Sequence, residues 1–162
     1  MTDTAPRELP LQELAEVIIR FAGDSGDGMQ LTGDQFTSIS AALGNDLATL
    51  PEFPAEIRAP QGTLAGVSAF QVRISDFAIT TPGDAPTVLV AMNPAALKAQ
   101  LHNVVQGGAV IINSDAFTER NLEKAGYESN PLEDGSLDGY RCYPVAMSQI
   151  TRDAVAVHGV KP

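Results

Sequence analysis

Cysteine is nearly missing from this sequence: Cys142 stands alone among 162 residues. One thiol makes no internal disulfide. It supports neither a cysteine-rich zinc site nor an iron–sulfur cluster, which takes about four cysteine ligands. Redox chemistry tied to this protein therefore belongs to another chain or to a diffusible cofactor. Histidine is equally scarce, with only His102 and His158, and neither has a neighbour at ligand spacing, so no metal site is expected. No apolar run approaches the ~18 residues of a membrane span. Met1 to Pro10 carries Asp3, Glu8 and two prolines around no apolar stretch, which does not suit a signal peptide. A cytoplasmic protein is the expectation. Basic residues number 10 against 20 acidic ones, a formal charge of −10. Such a chain repels nucleic-acid phosphates and anionic membrane surfaces, so neither is expected as a partner.

What is present suits one globular domain: 44% hydrophobic and 19% charged residues in a chain long enough to bury a core. Residues 1–12 read as a frayed polar arm, 13–160 as the domain, and Lys161-Pro162 as the start of a linker. Val17, Ile18, Ile19 and Phe21 predict a strand over 14–22. GDSGDG follows at 23–28, then a helix over 30–43 in which Leu31, Phe36, Ile39 and Leu43 fit one face loosely. Pro51, Pro54 and Pro60 exclude regular helix from 46–61, which reads as an extended loop with a short strand near 47–50. Residues 65–75 predict an antiparallel or edge strand, because its polar residues do not suit burial on both faces. Thr81 to Asp84 is a turn. The apolar run 87–92 predicts a central parallel strand. Asn93 and Pro94 then start a helix running to about 106, with Gly107-Gly108 as its stop. Residues 109–113 make another buried strand, 117–139 short helical and turn pieces, and 142–147 a last strand. Ser148 is expected to cap a final helix to about 157. The fold class predicted is α/β: a three-layer α/β/α domain with a mostly parallel, mixed sheet.

Gly23, Gly26 and Gly28 lie between a predicted strand and a predicted helix. Glycines permit a tight turn there, and a helix N-terminus offers N–H groups to an anion. The spacing is Gly-x-x-Gly-x-Gly, the reverse of the dinucleotide fingerprint. Asp24 and Asp27 also put carboxylates where a pyrophosphate would lie. Two readings stand side by side: a tight turn whose acids cap the helix and complement its dipole, or a ligand loop reached through N–H groups and carboxylates.

The stretch from Pro51 to Thr63 is stiffened by its prolines. Its Arg58 suits a carboxylate or a phosphate. A structural ion pair of Arg58 with Glu56 or Glu52 is the plainer and favoured alternative. Ser25 is in no nucleophile elbow. Cys142, in an apolar strand, reads as a small buried hydrophobe. Asp134 and Asp138 lie in a turn-rich loop without calcium-binding spacing.

Several segments taken together resemble one family: RFAGDSGDGMQLTGDQF (20–36), NDLATLPEFPAEIRAPQGTLAGVSAFQVRIS (45–75), TPGD (81–84), LVAMNPAALK (89–98) and NPLEDGSL (130–137). They are similar to the gamma domain of 2-oxoacid:ferredoxin oxidoreductases, most of all to the alpha subunit of the 2-oxoglutarate type, where this domain precedes a thiamine-pyrophosphate pyrimidine-binding domain. The resemblance runs from about residue 14 to 160.

The resemblance implies an assembled enzyme that decarboxylates a 2-oxoacid on thiamine diphosphate with Mg, passes electrons through a [4Fe-4S] cluster to ferredoxin, and gives the acyl group to coenzyme A. The gamma domain would roof the active site and border the coenzyme A site. By the same resemblance Gly23, Asp24, Ser25, Gly26, Asp27 and Gly28 match the family's glycine loop, and Arg58 lies in its Pro-Ala-Glu-Ile-Arg-Ala-Pro-Gln-Gly stretch. Relatives with a separate gamma subunit carry Gly-Gly-Gln-Gly where this chain has Ser25-Gly26-Asp27-Gly28, a departure at the point where a pyrophosphate would be met. No catalytic residue and no metal ligand is assigned to this chain. The implied partners are a thiamine- and cluster-binding beta subunit, the pyrimidine-binding alpha domain, and ferredoxin. The alternatives are a free-standing nucleotide-binding domain and a module that only packs between subunits.

Overall fold

The computed structural model describes residues 13–53 and 66–157. Six strands form one sheet: β1 (Glu16–Asp24), β2 (Asp46–Glu52), β3 (Val67–Ser75), β4 (Val88–Ala91), β5 (Ala109–Asn113) and β6 (Arg141–Val145). Their order across the sheet is β2-β3-β1-β4-β5-β6. β1, β4, β5 and β6 run parallel, while β3 is antiparallel to both β1 and β2. The helices are α1 (Met29–Ala42), α2 (Pro94–Gln100), α3 (Glu119–Lys124) and α4 (Met147–Val157).

Alternation along the strands builds the layers. Phe21, Phe70 and Val72 point to the face where Met29 of α1 packs, with Ile19, Phe36 and Val90 around them. Ala22, Ala69, Leu89, Ala91, Val110 and Ile112 point to the opposite face, under Ala96 and Leu97 of α2. Leu89, Leu97, Val110 and Ile112 lose all contact with solvent, each stabilising the fold by roughly 1.5–3 kcal/mol. The three-layer α/β/α arrangement and its mixed sheet follow the sequence expectation.

Several details differ from it. The segment read mainly as loop contains the seven-residue edge strand β2. Pro51 fits there because an edge strand tolerates one missing N–H. β3 is antiparallel, as one of the two expectations had it, but it lies one strand in from the edge. Its polar residues are satisfied internally. Gln71, fully buried, donates to the carbonyls of Pro82 and Gly83 at 2.9 and 2.8 Å and accepts from Arg20 Nε at 2.9 Å. Arg73 Nε donates to Glu16 at 3.0 Å.

The seat of α1 is Met29, Gly33, Phe36 and Ser40, while Leu31, Ile39 and Leu43 are 63, 65 and 77% exposed. Gly33 lies against the ring of Phe70, closer than any side chain could. α2 ends at Gln100 and passes through a 3-10 turn (Leu101–Asn103), because Val104 is extended and the Val105 N–H is drawn to Pro86 O at 3.0 Å. β6 stops at Val145, and α4 begins one residue before Ser148, whose hydroxyl accepts from Asn113 Nδ2 at 3.2 Å. The cap comes from elsewhere: Asp115 accepts from the Gln149 N–H at 2.8 Å. Residues 1–12 and 158–162, hence the expected arm, His158 and the expected linker, lie outside the described residues, as do Pro54, Pro60 and the whole of 54–65. Among the described residues no helix is long and apolar enough to cross a membrane.

Candidate functional site

β1 and β4 are parallel neighbours, yet α1 leaves β1 on one face and α2 follows β4 on the other. Their connections diverge, which opens a crevice at the carboxyl ends of the two strands, the usual ligand position in an α/β sheet. Asp24 ends β1 on one side of it, and Asn93 follows β4 on the other.

Gly23, Asp24, Ser25, Gly26, Asp27 and Gly28 form the turn expected. Asp27 closes it twice: its N–H donates to Asp24 O at 2.9 Å, and its carboxylate accepts from the Asp24 N–H at 2.9 Å. The acids therefore cap the turn and not the helix, which corrects one of the two readings. α1 has Gly28 at its N-cap, in the left-handed region at φ 73°, with no side chain accepting from its first N–H groups and no acid in its first turn. Glycine is the residue that reaches this φ without strain. Asp24 to Gly28 are all exposed. The turn thus presents unsatisfied N–H groups at a helix start, flanked by the Asp27 carboxylate that fixes it and by the Asp24 carboxylate.

Asn93 joins the two sides. Its Oδ1 accepts from the Ala96 N–H at 2.8 Å, the expected helix cap, and its Nδ2 donates to Asp24 Oδ1 at 2.9 Å. The glycine turn and α2 are therefore mutually oriented through one amide. Between Asp24, the start of α2 and α3 lies a cavity of about 200 Å³ bordered by Asp24, Asn93, Pro94, Asn121 and Lys124. Asn121 and Lys124 were not singled out from the sequence. A lysine in the last turn of a short helix reads as a dipole partner, and only the fold brings it to the crevice.

Arg20 was also missed as a structural centre. It is 9% exposed, donates from Nη1 to Gln100 at 2.7 Å, and stands 3.7 Å from the Glu52 carboxylate. Glu52, one of the partners considered for Arg58, thus faces Arg20. Arg58 and Glu56 lie outside the described residues. Phe53 and Gly66, which flank that segment, sit at the sheet end that carries Asp24, since Asp24 pairs with Val67 and Glu52 with Ala69.

The remaining candidates are scattered. Cys142 is half-buried in β6, and burial, then Asp138, push its thiol up, away from nucleophilic character. His102 is exposed in the turn after α2. Asp134 accepts from the Ser129 hydroxyl and the Ser136 N–H, bonds that hold its carboxyl below the usual range. Tyr127 is pushed up to about 12 by burial and by Asp134. Among the described residues no three His, Cys, Asp or Glu side chains are grouped to hold a metal ion. With one free thiol, these residues do not fit an iron–sulfur cluster.

Residues 18–161 match the family "Pyruvate ferredoxin/flavodoxin oxidoreductase". The chain is 63% identical over 148 residues to the 2-oxoglutarate oxidoreductase subunit KorA of Mycobacterium tuberculosis, covering 91% of this chain and 23% of that subunit. It therefore spans about a quarter of the length of the curated relative it matches. The structure of the 2-oxoglutarate:ferredoxin oxidoreductase from Magnetococcus marinus, with 2-oxoglutarate, coenzyme A and succinyl-CoA bound, is similar at TM-score 0.66 and 28% identity, over 87% of this chain and 22% of that one. The gamma subunit of a keto/oxoacid ferredoxin oxidoreductase from Geobacter sulfurreducens shares the fold at TM-score 0.59 and 18% identity, over 86% and 66% of the two chains.

Proposed function

The chain belongs to the pyruvate ferredoxin/flavodoxin oxidoreductase family, and from that premise we propose that residues 13–160 are the gamma-type domain of a cytoplasmic 2-oxoglutarate:ferredoxin oxidoreductase. The reaction is 2-oxoglutarate plus coenzyme A plus two oxidised ferredoxins going to succinyl-CoA, CO₂, a proton and two reduced ferredoxins. The observation that carries the substrate assignment is the 63% identity to a 2-oxoglutarate oxidoreductase subunit. The coenzyme A role is supported by the ligands of the Magnetococcus enzyme and by the open glycine turn at a strand-end crevice.

This chain's part is positioning. Thiamine diphosphate, which supplies the decarboxylation chemistry, and the electron-carrying cluster belong to the partner beta subunit and the pyrimidine-binding alpha domain, and ferredoxin is the acceptor. The glycine turn offers N–H groups to the coenzyme, with Asp27 and Asn93 holding it rigid, so that little ordering is left to be done when the coenzyme arrives. Gly23, Asp24, Ser25, Gly26, Asp27 and Gly28 border that path, and Arg58 supplies a cation on the adjoining segment. With a net charge of −10, most of the cations for the coenzyme's phosphates come from other subunits.

Arg58→Ala in the assembled enzyme is expected to raise the KM for coenzyme A or the oxoacid. Unchanged KM and kcat for both would remove Arg58 from the site. A thermal-shift series with coenzyme A, NAD and ATP tests the wider reading. Stabilisation by NAD alone would point instead to a free-standing nucleotide-binding domain. Co-purification with thiamine- and cluster-bearing partners, with no response to coenzyme A in wild type or in Asp27 and Arg58 variants, would leave only a packing module.

A further inference from the structure

Lys124 ends α3, and α3 does not explain it. A cation in a last turn ordinarily serves the exposed carbonyls there. Lys98 of α2 already does so: its Nζ donates to Ala125 O at 2.9 Å and to Gly126 O at 2.7 Å, and lies 5.0 Å from the centre of the Tyr127 ring. Among the described residues Lys124 has no carboxylate within 4.0 Å and makes no hydrogen bond. It is exposed and borders the crevice cavity opposite Asp24.

The other groups around that cavity are acceptors with capacity left. Asp24 Oδ1 is taken by Asn93, while Oδ2 has no donor among the described residues. Asn121 spends its Nδ2 on Ala116 O at 2.9 Å, which leaves its carbonyl oxygen open. One free cation thus faces two free acceptors. A bare anion satisfies only the lysine; a bare sugar or amide satisfies only the acceptors. The volume is about 200 Å³. That is smaller than the roughly 300–1,000 Å³ of a whole-ligand pocket, so it suits one part of a ligand, such as a phosphate with a short polar arm.

We propose that this cavity is a subsite for the phosphorylated end of a ligand whose adjoining arm carries hydroxyl or amide N–H groups, with Lys124 meeting the phosphate and Asp24 and Asn121 the arm. The proposal rests on the coenzyme A reading above, because a phosphopantetheine arm has this chemistry. The lysine acts as a point charge, which a phosphate accepts without strict geometry. It also offsets the repulsion that Asp24 and Asp27 exert on any phosphate entering here.

The test is the dissociation constant of coenzyme A, and of pantetheine as the arm without phosphate, for the intact assembled enzyme by isothermal titration. Lys124→Ala is expected to weaken coenzyme A by about three- to tenfold and Lys124→Glu by more, with the difference shrinking in high salt. Pantetheine binding should not change. Wild-type affinity for coenzyme A in Lys124→Glu overturns the proposal. Equal weakening of coenzyme A and pantetheine overturns the phosphate assignment. Gly28→Val separates the two levels: if it weakens coenzyme A while Lys124→Glu does not, only the subsite falls. If neither variant matters, the coenzyme A reading falls with it.

Discussion

Gly33→Ala sets helix propensity against packing, and the distances decide which wins. In an isolated helix the change would stabilise by about 1 kcal/mol. Here the added methyl would stand 2.1 Å from Cδ1 and 2.3 Å from Cγ of Phe70. Carbon atoms in contact prefer about 3.5–4.0 Å, so more than ~1 Å must be found. The ring cannot swing away cheaply. Phe70 is 4% exposed and faces Phe21 across the β1–β3 ladder. Lifting α1 opens the layer that holds Met29 and Phe36 and costs about 1–3 kcal/mol, whereas expelling the ring would cost about 3–5 kcal/mol. After the propensity gain of about 1 kcal/mol, a net loss of up to about 2 kcal/mol remains. At about 2–4 °C per kcal/mol for a chain of this size, thermal unfolding should shift down by up to about 8 °C. Gly26→Ala is the matched control, since nothing lies within 4 Å of its added methyl, and it should be near neutral. Adding Phe70→Leu to Gly33→Ala should recover part of the loss, a coupling that independent sites would not show. A Gly33→Ala protein melting about 2–4 °C above wild type, the full propensity gain, would refute the reasoning.

Asn93→Ala removes a helix cap and the tie to Asp24 together. A cap is worth about 1 kcal/mol, so circular dichroism melts should fall by about 2–4 °C, while Asn93→Ser should retain most of the cap. Tyr127 governs an alkaline limb. Its pKa is about 12 in the folded chain against 10.0 ordinarily, so the unfolded state loses this proton first. The stability it contributes is intact below pH 10 and is lost as pH rises towards 12. In denaturant titrations between pH 9 and 12 the stability of wild type relative to Tyr127→Phe should therefore fall with rising pH; a constant difference would show that the phenol does not titrate as inferred.

The layering was legible in the sequence because it depends on runs and alternation. TVLVAM and AVIIN could only be buried strands, and Asn93-Pro94 could only start a helix. The errors fell where a partner distant in sequence changed the meaning of a residue. Gln71 and Arg73 looked like edge-strand residues, yet Arg20, Glu16 and the turn at Pro82 satisfy them inside the sheet. Leu31, Ile39 and Leu43 looked like the seat of α1, yet Gly33 and Phe70 let the helix approach on its small-residue side. The glycine turn was found from spacing alone, but the role of its acids was not, because Asp27 bonding back to Asp24 competes with capping over only three residues. Lys124 carried no signal, since its relation to Asp24 exists only once α3 is folded against α2.

The position of β1 at the middle of the sheet carries a consequence for synthesis. It leaves the ribosome before both of its ladder partners. Arg20 meets Gln71 across 51 positions of sequence, and the β4 partner of Ile19 is Val88. At about 5–20 residues per second, β1 waits roughly 3–10 s for its antiparallel neighbour and longer for its parallel one. During that interval Ile18, Ile19 and Phe21 form an unpaired apolar strand with both edges open, the state most exposed to chaperones and to pairing with another nascent chain. β4, α2 and β5, by contrast, close on one another within a few dozen residues of emerging. The antiparallel half, β1 with β2 and β3, is complete in sequence by Ser75, before β4 is made, and it offers the template on which the later parallel strands dock.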